Sequence, residues 1–248
     1  MENNELLKRA EDLYERCQRK SCLSHTNFLS PAESYEIRKW AKHVPDCSIV
    51  FSGGGEDCER TAAFFLPYYM DEESFDVSEY ISAIKLTARF GSPGHRDYMG
   101  AVLGMGVGRE WVGDIRVLDS TAFVYCMPGV CGHLAGIEKV GRVGVRAEII
   151  PLSEVPAAEK KVKELSFTVM SLRLDAVVGG LFGMSRTEAA KQINSGSVSL
   201  NYSQCLRTDM PVKKGDVISL RGSGKAAVSG IGGTSRRGRI YVQGERYL

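Results

Sequence analysis

The sequence has few of the features that mark secretion, membrane insertion or metal binding. No apolar run in its 248 residues approaches the roughly 18–20 residues of a membrane helix, and Met1–Glu5 is polar and acidic, unlike a leader peptide. Its seven cysteines include the pairs Cys17/Cys22 and Cys126/Cys131, whose spacing is not that of a C-x-x-C motif. The four histidines are scattered. These absences predict a cytoplasmic protein with reduced thiols, no metal or other cofactor, and no membrane contact.

The composition that remains is that of a folded chain. Hydrophobic residues make up 43% and charged residues 25%, which excludes wholesale disorder. The net charge of +2 hides an asymmetry, because residues 1–150 carry −5 and residues 151–248 carry +7. The basic final part indicates either a polyanionic partner or a solvated basic face.

The first 76 residues predict a small, mainly helical domain. Apolar residues recur at helical spacing near the start, and Ser30 with Glu33 forms a capping box that opens a second helix. This segment has a net charge of −6, so it offers either a surface for a protein partner or an ordinary solvated face. The predicted elements are helices over 3–20, from Ser30 and over 58–66, and a strand over 48–52.

Residues 77–150 predict a second domain with the element order β-α-β-β-α-β of the split, ferredoxin-like unit. Phe123 and Tyr125 alternate on one strand face. They either stack on bases or, as we favour, pack against the helices. The predicted strands cover 81–88, 115–118, 122–127 and 143–150, and the predicted helices cover 95–103 and 128–140.

Residues 151–164 combine prolines with a charge cluster and predict a linker. Beyond it, Gly183 is expected to end one helix, and Ser185 with Glu188 to open another. Tyr202 follows Asn201 where a tight turn favours glycine, which predicts a wider turn. The other predicted elements are strands over 165–170, 197–200 and 216–220 and a hairpin of 226–231 with 239–242.

Several residues at fixed offsets over 172–221 resemble the S-four-type RNA-binding domain, a module named after a protein of the small ribosomal subunit. These are Arg173-Leu174-Asp175, Ser185-Arg186, Gly196 to Asn201 and Gly215-Asp216. In the middle segment, His95 to Gly100 and Gly113-Asp114-Ile115 resemble YlmH-like proteins, which are bacterial, ribosome-associated and RNA-binding.

The residue patterns and the resemblance, which runs over roughly 80–248, together predict an α+β protein of three parts. These are a small helical N-terminal domain (1–76), which periodicity alone predicts, a ferredoxin-like or RRM-like middle domain (77–150) and, after the linker, an S-four-type αL domain with a β-hairpin (165–248). The resemblance also implies binding to ribosomal RNA and peptidyl-tRNA on the large subunit, in ribosome rescue, without catalysis. We expect a monomer.

The candidate RNA-binding residues are cations of the last domain and the cap of one helix. Lys and Arg neutralise phosphates, and Arg173 either clamps a phosphate or pairs with Asp175. Ser185 either caps its helix or presents that helix end to a phosphate. His95 and Arg96 are candidates for a secondary contact. The full set in the last domain is Arg173, Ser185, Arg186, Lys191, Lys213, Lys214, Arg236, Arg237 and Arg239.

Two other functions remain open. An RNA-modifying enzyme of the pseudouridine synthase kind carries an aspartate in a triplet like Arg173-Leu174-Asp175, but here that triplet lies in the binding module itself. A cell-division scaffold is the other alternative, because some YlmH-like members neighbour division genes. His95-Arg96-Asp97 imitates a kinase catalytic triplet but has Val102 where the kinase needs asparagine.

Overall fold

The computed structural model describes residues 2–157 and 162–247. The chain divides into two compact units, Met1–Ala158 and Glu159–Leu248. Over the described residues these contain six α-helices and three sheets, whose strands pair antiparallel. Among those helices, none has the length and apolar character needed to cross a bilayer.

The first half of unit 1 packs two helices on a small sheet. The Ser30 cap predicted from the sequence is present: its hydroxyl accepts from the Glu33 N–H at 3.3 Å, and its own N–H donates to the Glu33 carboxylate at 2.7 Å. The sheet order is β1-β3-β2. The elements are α1 (Glu2–Lys20), β1 (Ser24–His25), α2 (Pro31–Ala41), β2 (Ile49–Ser52) and β3 (Ala62–Phe65).

The helix predicted over 58–66 is wrong, because its centre is β3. Four consecutive buried apolar residues form this central strand. Ala63 and Phe65 pack with the residues of α1 and α2, whereas Ala62 and Phe64 pack into a second cluster on the other face. A short apolar run buried on both faces has no periodicity that separates strand from helix.

The second half of unit 1 follows the predicted order of strands and helices. The helix predicted over 128–140 is shorter than expected, because the chain after Leu134 forms an additional strand that pairs with the last one. The sheet order is β5-β6-β4-β8-β7. The elements are β4 (Ser82–Ala88), α3 (His95–Gly104), β5 (Val112–Leu118), β6 (Thr121–Cys126), α4 (Pro128–Leu134), β7 (Lys139–Val140) and β8 (Val143–Ile150).

Both aromatic residues of β6 are buried, but the packing against the helices that we favoured is wrong for Tyr125. Val124 faces the helices, and Tyr125 lies in the cluster that contains Phe28 and Phe64 of the first half. Tyr125 is 1% and Phe123 7% exposed. This burial excludes both rings as an open stacking platform.

Polar contacts also join the two halves of unit 1. The Arg60 guanidinium donates to the carbonyl oxygens of Phe28 at 3.1 Å and Val112 at 3.2 Å. Asp114 accepts from the backbone N–H groups of Glu59 and Arg60 at 2.6 and 3.3 Å. A Cβ on Gly113 would lie 2.7 Å from the Phe28 ring. Gly113 and Asp114, which carry part of the family resemblance, therefore have structural roles.

Unit 2 contains one six-stranded sheet and two helices. Its sheet order is β11-β10-β12-β13-β14-β9. The first strand begins at Val162, inside the predicted linker 151–164, of which residues 158–161 lie outside the described residues. The elements are β9 (Val162–Val169), α5 (Leu174–Phe182), α6 (Arg186–Asn194), β10 (Val198–Leu200), β11 (Ser203–Gln204), β12 (Val217–Leu220), β13 (Gly224–Thr234) and β14 (Ile240–Tyr247).

The turn after β10 is tight, so the wider turn predicted from Tyr202 is wrong. Leu200 pairs directly with Ser203, which leaves Asn201 and Tyr202 as a two-residue loop with φ values of +50° and +67°. The Asn201 amide donates to Asp216 at 2.9 Å and accepts from the Val217 N–H at 2.9 Å. These bonds hold the left-handed backbone that Asn tolerates and Tyr does not favour.

Candidate nucleic-acid interface

Two of the candidate arginines meet at one buried carboxylate. Arg173 immediately precedes α5, and its Nε and Nη2 donate to the two oxygens of Asp175 at 3.3 and 3.2 Å. Arg186, the first residue of α6, places its Nη2 3.0 Å from Asp175 Oδ2. The Asp175 side chain is 7% exposed, against 39% for Arg173 and 55% for Arg186. The cluster is therefore a buried anion beneath two accessible cations.

The protonation state of Asp175 follows from these contacts. Burial alone raises the pKa of this carboxyl, but the hydrogen bonds and charges of Arg173 and Arg186 outweigh burial and hold the pKa below its usual value. The hydrogen bond to Asp175 raises the pKa of Arg173. With one carboxylate between two guanidinium groups, the cluster keeps a net positive charge at neutral pH.

Of the two alternatives open for Arg173, pairing with Asp175 is the one present in the structure. The fork contact fixes the guanidinium plane, while its remaining N–H groups have access to solvent. A cation held in this way loses less conformational entropy on meeting a phosphate than a free side chain does.

Ser185 is the N-cap of α6, as the sequence predicts. Its hydroxyl accepts from the Glu188 N–H at 3.1 Å. The Glu188 carboxylate instead accepts from the Gln192 amide at 3.0 Å and lies 3.9 Å from Lys191 Nζ. Arg186 follows Ser185 as the first residue of α6, so it lies at the positive end of this nine-residue helix.

A groove of about 360 Å³ between β9 and α5 brings Arg186 near another candidate, Arg239. The Arg239 guanidinium is fixed, because it donates to the hydroxyl and carbonyl oxygens of Thr168 at 2.9 and 2.7 Å. The groove is lined in part by Thr168, Met170, Gly179, Met184, Arg186 and Arg239.

The remaining candidates are exposed side chains on three separate elements. Lys191 lies on α6 and is 73% exposed. Lys213 and Lys214 precede the turn into β12, and the Lys213 N–H donates to Asp216 at 2.8 Å. Arg236 and Arg237 occupy the loop between β13 and β14, where Ser235 and Gly238 are hydrogen-bonded at 2.9 Å.

The candidates for a secondary contact lie in unit 1. His95 and Arg96 are exposed in the first turn of α3. The neighbouring residues of the same motif are structural, since the Asp97 carboxylate accepts from the Gly94 N–H at 2.8 Å and buried Tyr98 donates to the Ser120 carbonyl at 3.0 Å.

Sequence reasoning missed a second arginine–carboxylate fork beside the first. Arg207 donates to the two oxygens of Asp209 at 3.3 and 3.2 Å. The segment that carries it is anchored next to Arg173, because the N–H groups of Leu174 and Asp175 donate to the carbonyl oxygens of Met210 and Thr208. The signal was the spacing Arg-x-Asp, which occurs at both places.

Within the described ranges, the structure holds no group of three His, Cys, Asp or Glu residues arranged to bind a metal ion. The chemistry that the cluster around Asp175 offers is the binding of anions by fixed and accessible guanidinium groups.

Comparison with known proteins gives a match for the middle of the chain. A family described as "Putative RNA-binding domain in YlmH" matches residues 71–154. A solved structure, the cell division protein ylmH from Streptococcus pneumoniae, superposes with a TM-score of 0.52 at 21% identity and covers 62% of this chain and 94% of its own. At that identity the likeness concerns the fold.

A curated relative matches over most of its length. The ribosome-associated protein quality control protein P2 of Bacillus subtilis (strain 168) is 29% identical over 224 residues, which cover 89% of this chain and 86% of that protein. The family match and this relative confirm the resemblance found in the sequence: the chain is similar to YlmH-like RNA-binding proteins, and the family match itself covers residues 71–154.

Proposed function

We propose that the protein binds RNA on the ribosome, without catalysis, through the cations of unit 2. The observation that carries this proposal is the cluster of Arg173 and Arg186 on buried Asp175, with Arg239 fixed on the adjoining groove. Fixed guanidinium groups suit a phosphate backbone, which must be met at defined positions. The ribosome-associated name of the Bacillus subtilis relative supports the same partner.

The finer proposal concerns the architecture and the RNA. Unit 2 is proposed as an S-four-type module and residues 77–150 as a ferredoxin-like domain, whose strand order is that of the split β-α-β unit. Unit 2 contacts large-subunit ribosomal RNA and peptidyl-tRNA in ribosome rescue, and His95 and Arg96 in the middle domain add a second contact. The protein acts as a monomer in the cytoplasm.

Sedimentation of a cell lysate tests this proposal. The wild-type protein is expected to travel with the large subunit at low salt and to leave it as salt rises, because counterion release drives phosphate binding. Arg173→Ala/Arg186→Ala is expected to stay at the top of the gradient. A wild-type protein that stays at the top at every salt concentration overturns the proposal.

Two further variants protect this test from a folding artefact. Removing both arginines leaves the buried Asp175 without these partners, so Lys213→Ala/Lys214→Ala serves as a second loss of charge that leaves Asp175 untouched. Lys8→Ala/Arg9→Ala on exposed α1 positions removes the same charge elsewhere. We expect the former to weaken sedimentation with the subunit and the latter to leave it unchanged.

A further inference from the structure

A second cationic groove lies in unit 1, far in sequence from the arginine cluster. It has a volume of about 550 Å³ and runs between α2 and β2. One wall is a single face of the helix, with residues at the spacing i, i+3, i+4 and i+7. The other wall is formed by alternate residues of the strand. The side chains that matter here are Tyr35, Arg38 and Lys39 of α2, Lys42 at its C-cap, and Ile49 and Phe51 of β2.

The strand side of this groove is a sheet edge. Among the described strands, β2 pairs with β3 alone. Just before it, the Leu66 N–H donates to the Ser48 carbonyl at 3.0 Å. Because hydrogen-bonded pairs alternate along an antiparallel ladder, Val50 and Ser52 are the next residues bonded to β3. The backbone N–H and C=O groups of Ile49 and Phe51 therefore point to the outer edge, where another strand can pair.

The charge of the groove is opposite to that of its surroundings. Residues 1–76 carry a net charge of −6, yet Arg38, Lys39 and Lys42 line this one groove. The Arg38 guanidinium lies over the Phe51 ring at 3.8 Å from its centroid. The groove thus has a cationic helical wall above an apolar floor of half-buried Ile49 and Phe51.

We propose that the groove between α2 and β2 binds an extended acidic segment of a partner protein as an added strand. The outward amides of Ile49 and Phe51 pair with the backbone of the segment, as in β-strand addition. Because successive side chains of a strand point to opposite faces, every second side chain of the segment enters the groove, where apolar ones contact Ile49 and Phe51 and carboxylates face Lys39 and Lys42.

The edge favours a peptide over RNA at this site. Alternating N–H and C=O groups complement a peptide backbone, whereas the carbonyl oxygens repel a phosphate chain that lies along the same edge. RNA binding at this groove is therefore an outcome of the test that contradicts the proposal.

Amide chemical shifts of the full-length protein, labelled with ¹⁵N, provide the test. The probe is a pool of end-capped hexapeptides in which every second residue is Asp, Glu, Val or Leu, so that one face of the strand combines carboxylates with apolar side chains, and the residues between them are Thr. We expect saturable shifts concentrated in β2 and α2, and no such shifts with an octamer of uridine. An absence of shifts there at millimolar pool concentration overturns the proposal, as does a uridine octamer that shifts the same amides in place of the peptides.

Two controls separate strand addition from simple charge attraction. Methylating the backbone nitrogens on the peptide edge that faces β2 is expected to abolish binding, while methylating the opposite edge leaves it intact. Lys39→Ala/Lys42→Ala is expected to weaken binding about tenfold or more, and Lys8→Ala/Arg9→Ala, which removes the same charge from α1, is expected to leave it unchanged. Equal effects of the two methylation patterns, or of the two double variants, overturn the proposal.

Discussion

At the scale of single residues, Asp175 decides how the arginine cluster is held. Its carboxylate accepts from Arg173 and faces Arg186 at 3.0 Å while being almost fully buried. The folded-state pKa of Asp175 is depressed. The group therefore adds stability that is complete well above the unfolded pKa of about 3.9 and disappears as pH falls through the folded pKa.

Asp175→Asn is expected to lower the free energy of unfolding of unit 2 by about 1–3 kcal/mol at neutral pH, because charge-assisted bonds to a buried acceptor are lost. Urea titrations of both proteins at several pH values measure this difference. The gap between the two is expected to shrink as pH falls below about 4. If the difference in unfolding free energy is constant across that range, the charge of the Asp175 carboxylate does not stabilise the fold.

Tyr202 is a second residue whose substitution is expected to change the stability of unit 2. Its φ of +67° strains a residue with a Cβ. We expect Tyr202→Gly to raise the free energy of unfolding by about 0.5–1 kcal/mol, after the larger entropy of glycine in the unfolded chain is set against the relief of strain. Thermal unfolding provides the measurement.

The neighbouring position supplies the matched control for this turn. Asn201→Gly also places glycine at positive φ but removes the bonds to Asp216 and Val217, so we expect it to destabilise the protein by about 1–3 kcal/mol. If Asn201→Gly leaves stability unchanged or raises it, the side chain of Asn201 does not hold the turn.

At the scale of elements, local signals predicted the ends of helices better than the identity of buried strands. The Ser30 and Ser185 caps and the Gly183 end of α5 depend on residues within one turn. The two wrong predictions concern structure that depends on residues distant in sequence. The strand within 58–66 is set by the strands on either side of β3, and the tight turn at Asn201 is held by Asp216.

The candidate site shows the same division. The sequence placed Arg173 near Asp175, two residues away, but left pairing and phosphate binding open. The approach of Arg186 to the same carboxylate needs the packing of α6 on α5. Likewise, the sequence predicted Arg239 at the start of a hairpin strand, and its contact with Thr168 depends on the pairing of β14 with β9.

The packing of α5 on the sheet gives an element-scale prediction. A Cβ on Gly180 would lie 2.2 Å from the Phe167 ring, whereas Gly100 in α3 has open space at that position. We expect Gly180→Ala to destabilise unit 2 by about 1–3 kcal/mol through overpacking. Gly100→Ala is expected to stabilise unit 1 by up to about 1 kcal/mol through helix propensity. Thermal unfolding measures both, and a stabilising Gly180→Ala contradicts the close packing of α5 on β9.

At the scale of the whole molecule, the two parts of the chain carry opposite charge. Residues 1–150 carry −5 and residues 151–248 carry +7. A polyanion is therefore attracted to the final part and repelled by the first, and the small net charge of +2 understates the local attraction. The salt dependence of RNA affinity is consequently expected to come from the cations of unit 2.

The slope of log affinity against log salt tests this expectation with purified large-subunit ribosomal RNA. Each phosphate contact contributes about 0.7–0.9 to the slope, so Lys213→Ala/Lys214→Ala is expected to reduce its magnitude by about 1–2. Lys8→Ala/Arg9→Ala changes the net charge equally but lies in the acidic part, and it is expected to leave the slope unchanged. Equal slopes for the two variants would place the phosphate contacts away from the turn into β12, because only a cation that displaces counterions at the RNA alters the slope.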